Sequence, residues 1–305
     1  MGNDRHHIVV DFLDYLMNVR HYSKHTIRSY STDLDDFLRF CQNHVNEKFK
    51  KLKKTNIQEY LRHLSKRGLS PKTLARRLAS IKSLYKFLLK NKIVDTNIAL
   101  SLKTPIIPKK LPHYLSLEEA RKILTLPVGE DEAALRDRLV LELFYATGVR
   151  ISELVMISFK DIRFEEGLIY VKGKGNKERF VIIGKKVRST LKKYIKLLMD
   201  RDMYGEGFFL FPALRKNKNG IVGHISQRTI FNIVKKYMRK VSDDEKLSPH
   251  SLRHTFATHM LNNGADIMAI KDLLGHGSLS STQVYTHLQP SKLKKVYKQA
   301  HPYGK

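Results

Sequence analysis

Between residues 248 and 287 the chain reads SPHSLRHTFATHMLNNGADIMAIKDLLGHGSLSSTQVYTH, a stretch that brings His250, Arg253, His276 and Tyr285 into one segment. An arginine fork offers fixed donors that match phosphate oxygens, and imidazole hydrogen-bonds or passes protons near neutral pH. A tyrosine hydroxyl, with an ordinary pKa of about 10, is a weak nucleophile. Placed beside cations and a base, it can attack phosphorus and hold the product as a phosphotyrosine.

The elements that must position these groups are legible in the same stretch. Ser248 is placed to cap a helix and Pro249 to be its first residue. Asn263-Gly264 ends that helix, since glycine takes the left-handed conformation of a C-terminal cap. His250 and Arg253 then share a face, while Leu252, Phe256 and Met260 form the buried stripe. A second helix over roughly 266–274 stops at Gly275, which puts His276 on the turn just beyond it. Tyr285 follows after the small polar run 278–282. Taken singly, each residue has an ordinary explanation: tyrosines in helical regions pack, and an isolated LGH ends a helix. A metal reading also competes, because His250 and His254 stand at the i, i+4 spacing of zinc-binding HExxH helices with His259 nearby. Ser251 occupies the place of the catalytic glutamate in that motif, however, and Arg253 would repel a cation on that face. His254 and His259 are therefore expected to be packing or surface residues.

Arg150 presents the same chemistry elsewhere. It directly follows an almost wholly apolar helix over 132–146 that ends at Thr147-Gly148, a rigid way to deliver a guanidinium. The alternative is a surface pair between Arg150 and Glu153 at i, i+3. A strand meander follows, at 161–164, 168–172 and 179–183, with glycines at its turns. Lys174 sits at the Gly173-Lys174-Gly175-Asn176 turn tip, where a flexible cation can reach a ligand, or merely aid solubility.

HSLRH, LLGH and the later tyrosine resemble the tyrosine recombinase (phage integrase) family, and the wording of the segment is similar to its Xer branch. ATGVRISEL resembles that family's first arginine motif, and GKGNKER resembles its β-hairpin. The resemblance implies a metal-free, cofactor-free transesterification of DNA. Arg150, Arg253 and His276 would bind the non-bridging oxygens, with Glu153 supporting Arg150. Tyr285 would attack to leave a 3′-phosphotyrosine, His250 would handle its proton, and Lys174 would protonate the departing 5′ oxygen. Lys172 and Lys177 are neighbours that compete for that last assignment. The resemblance further implies a homotetramer on two specific duplex sites, a Holliday-junction intermediate, resolution of chromosome dimers and a DNA translocase as a further partner. The C-terminus departs from the pattern, since it ends HPYGK where close Xer relatives resemble HPR and a small residue.

Composition agrees with a polyanionic partner. Lys and Arg total 57 against 29 acidic residues, a net +28 that cannot be neutralised internally. A heat-adapted surface would enrich glutamate alongside lysine, which 29 acids do not show. Cys41 is the only cysteine, so neither a disulfide framework nor a cysteine-based zinc site is possible within one chain. No signal-peptide pattern and no run of about 18 apolar residues occurs, so a cytoplasmic protein with no membrane span is expected.

The expected fold is mainly α with a small antiparallel β-sheet in the second of two domains, a clamp with the tyrosine recombinase catalytic fold. Residues 1–104 read as four helices forming a small DNA-binding domain, which resembles the SAM-like core-binding domain of tyrosine recombinases, with capping signals at Ser23, Thr55-x-x-Gln58 and Ser70-Pro71. On its last helix, Lys82, Lys86 and Lys90 step at i, i+4, with Lys72 and Arg76 earlier. Like charges at that spacing repel, so an unpaired row is tolerated most easily when it meets phosphates. Residues 105–115 form a proline-rich linker, and 116–305 a catalytic domain opened by the capping box Ser116-x-x-Glu119. Its final helix, 291–301, carries Leu293, Val296, Tyr297 and Ala300 on one apolar face with almost no chain left to cover it. That face must dock in cis or on a neighbouring subunit, and the resemblance implies the latter. Two other classes share some of these features: a type IB topoisomerase, and a non-enzymatic DNA-binding regulator. The second leaves six ordered reactive residues without a role. A metal nuclease is disfavoured, because Glu130-Asp131-Glu132 sits where a helix cap is expected.

Overall fold

Helices dominate the protein, as the period of its apolar residues requires. The computed structural model describes residues 2–45, 48–108, 113–173, 178–213, 215, 220–275 and 290–304. The chain divides into two units, residues 1–110 and 111–305.

In the first unit, α1 (Gly2–Asp14) runs into a π-helical turn at Tyr15–Val19, followed by α2 (Lys24–His44), α3 (Lys54–Lys66) and α4 (Pro71–Lys90). Ser23 and Ser70 cap α2 and α4, each Oγ accepting from the backbone N–H three residues on at 3.3 Å. The cap expected at Thr55 lies elsewhere: the Asn56 side chain accepts from the Lys53 N–H at 2.8 Å, so α3 opens at Lys54. Phe12, Leu34, Phe37, Ile57, Tyr60, Leu78 and Tyr85 fill the core. A polar seam joins α2 to α4. Asp33, buried, pairs with Arg76 and accepts from Ser80 Oγ at 2.9 Å. Asp36 pairs with Arg77 and accepts from the Tyr60 hydroxyl at 3.1 Å. Burial raises the Asp36 pKa, but Arg77, the Tyr60 hydroxyl and Arg67 outweigh it and hold the carboxyl below its usual range.

The second unit begins with a segment expected in the linker. Leu115 is buried, its N–H donates to Thr255 Oγ1 at 2.9 Å, and His113 pairs with Asp244. There follow α5 (Leu117–Thr125), α6 (Glu132–Thr147) and the one-turn α7 (Ile151–Leu154). Ser116 and Glu119 make the expected reciprocal cap, at 3.1 and 2.7 Å. Asp131 caps α6 by accepting from the Ala134 N–H at 3.0 Å, which gives the acidic run its structural role. Burial of nearly every side chain from Leu139 to Thr147 makes α6 the axis of this core. The sheet is antiparallel in the order β1 (Ile162–Arg163), β2 (Leu168–Lys172), β3 (Glu178–Ile182), with Val171 opposite Arg179 and Lys172 opposite Glu178. Next come α8 (Lys185–Met199), α9 (Gln227–Met238), α10 (Pro249–Asn262), α11 (Ile267–Leu274) and α12 (Pro290–Ala300). The mainly α architecture with a small antiparallel sheet is therefore as expected. Among the described residues, no helix is long and apolar enough to cross a membrane.

The apolar face of α12, which had no evident partner in the sequence, packs in cis. Tyr297 and Ala300 are buried, with Leu293 and Val296 beside them, against Phe256, Met260, Ala265, Ile270, Leu273 and Leu274 of the α10–α11 pair. Asn263 Nδ2 caps the helix by donating to the Ala300 carbonyl at 2.7 Å. Beyond it, His301 stacks on Tyr297 at 4.8 Å, with Nε2 3.0 Å from the Tyr145 carbonyl and Nδ1 2.9 Å from the Tyr303 N–H. Only a neutral ring donating from Nε2 and accepting at Nδ1 satisfies both bonds.

Candidate active site

Two segments distant in sequence meet at one carboxylate. Glu153, on α7, is 1% exposed and accepts four hydrogen bonds. Two come from Arg150: its backbone N–H at 2.8 Å and its Nη1 at 2.7 Å. Two come from Arg179 on β3, Nη1 at 3.0 Å and Nη2 at 2.9 Å. Burial alone would raise the Glu153 pKa, yet the Arg179 and Arg150 donors more than offset it and hold it below the ordinary value. In the pair considered for Arg150 and Glu153 the carboxylate is buried and the arginine half-buried, and Glu153 holds Arg150 by both backbone and side chain.

Arg253, buried on α10, reaches across to the same place. Nη1 donates to the Gly148 carbonyl and Nη2 to the Leu274 carbonyl at 2.6 Å. Both acceptors lie at helix ends, where backbone carbonyls have no partner within the helix. Gly148 ends α6 with φ +60°, and a Cβ there would stand 2.6 Å from Leu274 Cδ2 and 2.8 Å from Phe256 Cδ1. The close approach of α6, α10 and α11 that positions Arg150 and Arg253 therefore requires this glycine. Burial lowers the Arg253 pKa to about 10, with further lowering by Arg150 and Arg179. Arg150 and Arg179 add to the effect of burial because their guanidiniums lie close by, and Glu153 opposes it.

His250, in the first turn of α10, is exposed as a whole residue. Partial desolvation of its ring, together with the charges of His254, Arg253 and Arg150, lowers its pKa, so it is a neutral imidazole at pH 7. His254 is exposed, whereas His259 is buried, 3.0 Å from the Tyr145 hydroxyl through Nδ1 and 3.1 Å from the Leu115 carbonyl through Nε2. It is a packing residue, and among the described residues no group of three or more potential metal ligands forms. Lys172 pairs with Glu178 at 3.6 Å across the hairpin. Lys174, Lys177, His276 and Tyr285 lie outside the described residues.

The basic row of α4 divides. Lys72, Arg76, Lys86 and Lys90 are exposed, but Lys82 donates to the Leu102 carbonyl at 2.7 Å, Lys90 lies over the Tyr15 ring at 5.4 Å, and Arg76 pairs with Asp33. The row is not unpaired, as its spacing alone suggested. Arg179 was missed altogether. Its signal was present, since it shares the inward register of β3 with Val181, an unusual place for a charge.

The phage integrase family model matches residues 113–292, and the model for the phage integrase N-terminal SAM-like domain matches residues 9–92. The chain belongs to the phage integrase family of tyrosine recombinases. Within it, the chain is similar to tyrosine recombinase XerC of Pelotomaculum thermopropionicum, at 39% identity over 97% of this chain and 98% of the relative. It is also similar to tyrosine recombinase XerD of Halalkalibacterium halodurans, at 35% identity over 95% and 96% respectively. Among solved structures, XerH site-specific recombinase bound to a palindromic difH substrate in a post-cleavage complex matches at 25% identity. That match has a TM-score of 0.67 and covers 90% of this chain and 80% of the other.

Proposed function

We propose that this protein is an Xer-like site-specific recombinase that cuts and rejoins duplex DNA through a 3′-phosphotyrosine. The observation that carries the chemistry is the cluster of Arg150, Arg179 and Arg253 around Glu153 alone, a rigid excess of positive charge suited to phosphate. Arg150 and Arg253 bind the non-bridging oxygens of the scissile phosphate, joined by His276. Tyr285 attacks phosphorus as the bond to the 5′ oxygen breaks, Lys174 gives that oxygen its proton, and neutral His250 handles the proton of the phenol. The 5′-hydroxyl of another strand reverses the step without ATP, no metal or cofactor takes part, and two sites exchange strands in a tetramer through a Holliday junction.

The two tyrosines downstream are poor rivals to Tyr285. Tyr297 is 2% exposed, and Tyr303 is half-buried beneath Lys186 at 4.8 Å. Burial raises both phenol pKa values. Residues 1–104, joined by a proline-rich linker from residue 105 to a catalytic domain that includes the docked residues 113–115, hold the duplex through the outer face of α4, with Lys72 and Lys86 on phosphates. Lys82, Lys90 and Arg76 chiefly brace the fold. Similarity to Xer recombinases over nearly the full chain favours recombination over topoisomerase-like relaxation or a purely DNA-binding role, and favours chromosome dimer resolution, with a DNA translocase as partner.

A nicked duplex carrying the target site, incubated in EDTA, tests the reading. The chain should become covalently linked to a 3′ end through Tyr285. Tyr285→Phe should bind the duplex with unchanged affinity and form no adduct. An adduct mapped to Tyr297 or Tyr303, or strict dependence on added divalent metal, would overturn it.

A further inference from the structure

Arg179 uses its whole guanidinium inside the protein. Nη1 and Nη2 grip the two oxygens of Glu153, and Nε donates to the Leu273 carbonyl at 3.0 Å. At 6% exposure it has nothing to offer DNA, so it cannot be one of the groups that touch the phosphate. What it does touch is informative. Glu153 fixes Arg150 by its backbone and its side chain. Leu273 belongs to the last turn of α11, whose next carbonyl, Leu274, is held by Arg253. The backbone of Arg179 lies on β3 opposite Val171, and the segment that connects β2 to β3 includes Lys174 in sequence. Gly275, at φ +67°, packs closely on this side chain, where a Cβ would come within 3.2 Å of Arg179 Cδ.

We infer that Arg179 is a positioning residue for strand cleavage. It fixes in one frame the guanidinium of Arg150, the α11 end that leads to His276, and the hairpin that leads to Lys174. A buried pair made only for stability would need one partner. Arg179 instead divides a planar fork between a carboxylate that orients one arginine and a helix end that orients another. Lysine keeps the charge but not that geometry, since its ammonium is a point charge on a flexible stem.

The inference rests on the reading of Arg150 as a phosphate-binding group, and the test separates the two. Single-turnover cleavage of the nicked duplex at saturating DNA is measured for Arg179→Lys, Arg179→Met, Glu153→Gln, Arg150→Ala and the Arg179→Met/Glu153→Gln double variant. Each is assayed on a normal scissile phosphate and on a methylphosphonate, which lacks one charged non-bridging oxygen. Arg179→Lys and Arg179→Met should lose about 100-fold or more in cleavage rate while DNA affinity stays within a few-fold. The methylphosphonate should recover much of that loss for both, and for Arg150→Ala as well. The double variant should be no slower than its slower parent. Should Arg179→Met fail to fold, Arg179→Lys carries the test. A full cleavage rate for Arg179→Lys overturns the inference. So does an equal loss on both substrates while Arg150→Ala is rescued, because a purely structural defect does not distinguish the charge of the phosphate. Normal cleavage by Arg150→Ala would instead overturn the parent reading.

Discussion

Replacing Glu153 with glutamine changes one atom and tests the centre of the site. The wild-type carboxylate accepts four hydrogen bonds, two on each oxygen. Glutamine keeps one acceptor oxygen and turns an NH2 group towards donors that already point at it. Two bonds are lost, and Arg179, buried at 6% exposure, loses its counter-charge. Removing one partner of a buried ion pair costs about 3–5 kcal/mol. At about 1.4 kcal/mol per decade, amides that exchange only by unfolding of the catalytic unit should exchange about 10²- to 10⁴-fold faster. Hydrogen exchange followed by mass spectrometry reads this directly, with peptides of α2 and α4 in the other unit as an internal reference that should not change.

The same variant carries a pH signature with a fixed sign. Glu153 has a folded pKa below its ordinary value of 4.5. Its stabilisation is fully present above the unfolded value and is lost as pH falls through the folded one. The gap between wild type and Glu153→Gln should therefore be widest near pH 7 and close as the solution is acidified well below pH 4.5. A gap of less than tenfold at pH 7, or one that stays constant on acidification, would refute the claim that this carboxylate is what neutralises the arginines.

Three further outcomes follow from the geometry. Lys72→Ala/Lys86→Ala should weaken DNA binding similarly on all sequences and reduce the slope of log K against log salt by about two, whereas Lys82→Ala, which loses the Leu102 carbonyl, should lower stability and leave the slope alone; filter binding across a salt series separates them. Gly148→Ala must place a Cβ at φ +60° and 2.6 Å from Leu274, at a combined cost of about 2–5 kcal/mol, so calorimetry should show a strongly destabilised catalytic unit. Burial lowers the His301 pKa from 6.5 to about 3, helped by nearby His259, so the docked tail holds a neutral ring while a detached tail protonates. Docking should be full above about pH 6.5 and weaken about tenfold per unit below it, seen as faster exchange in α12 that His301→Gln lacks.

How much of this was written in the sequence depends on how local each signal is. The caps at Ser23, Ser70 and Ser116 and the left-handed end at Gly275 are set by residues within one turn, and all are found where they were expected. Arg150 and Arg253 were legible because each sits in a short local motif, ATGVRISEL at a helix junction and HSLRH in the first turns of α10. The bond from Arg179 to Glu153 spans 26 positions and has no period, so only the misplaced charge on the inner register of β3 hinted at it. The α4 row misled for a related reason. A helical wheel gives the direction of a lysine but not the acceptor that a later segment will bring, here the Leu102 carbonyl. The α12 stripe lacked a visible partner because Ala265, Ile270 and Leu273 read as the inner face of their own helix, and they become a receiving groove only once α10 and α11 have paired.

The number of charges in this cluster is itself part of the chemistry. Arg150, Arg179 and Arg253 against Glu153 leave about two positive charges in a low-dielectric site, where burial first and the two neighbouring guanidiniums second lower the Arg253 pKa to about 10. A scissile phosphodiester carries one negative charge and would neutralise only half of the excess. Attack by the phenolate, its proton passed to His250, places a second negative charge on the oxygens around phosphorus, so the cluster attracts the pentacoordinate state more strongly than the substrate. An arrangement that is over-charged for its substrate and matched to its transition state gains most of its attraction during the reaction, which raises the rate and not merely the affinity. Fixing the guanidiniums beforehand on Glu153 and on the carbonyls of Gly148, Leu273 and Leu274 means that little reorganisation is needed when that charge develops.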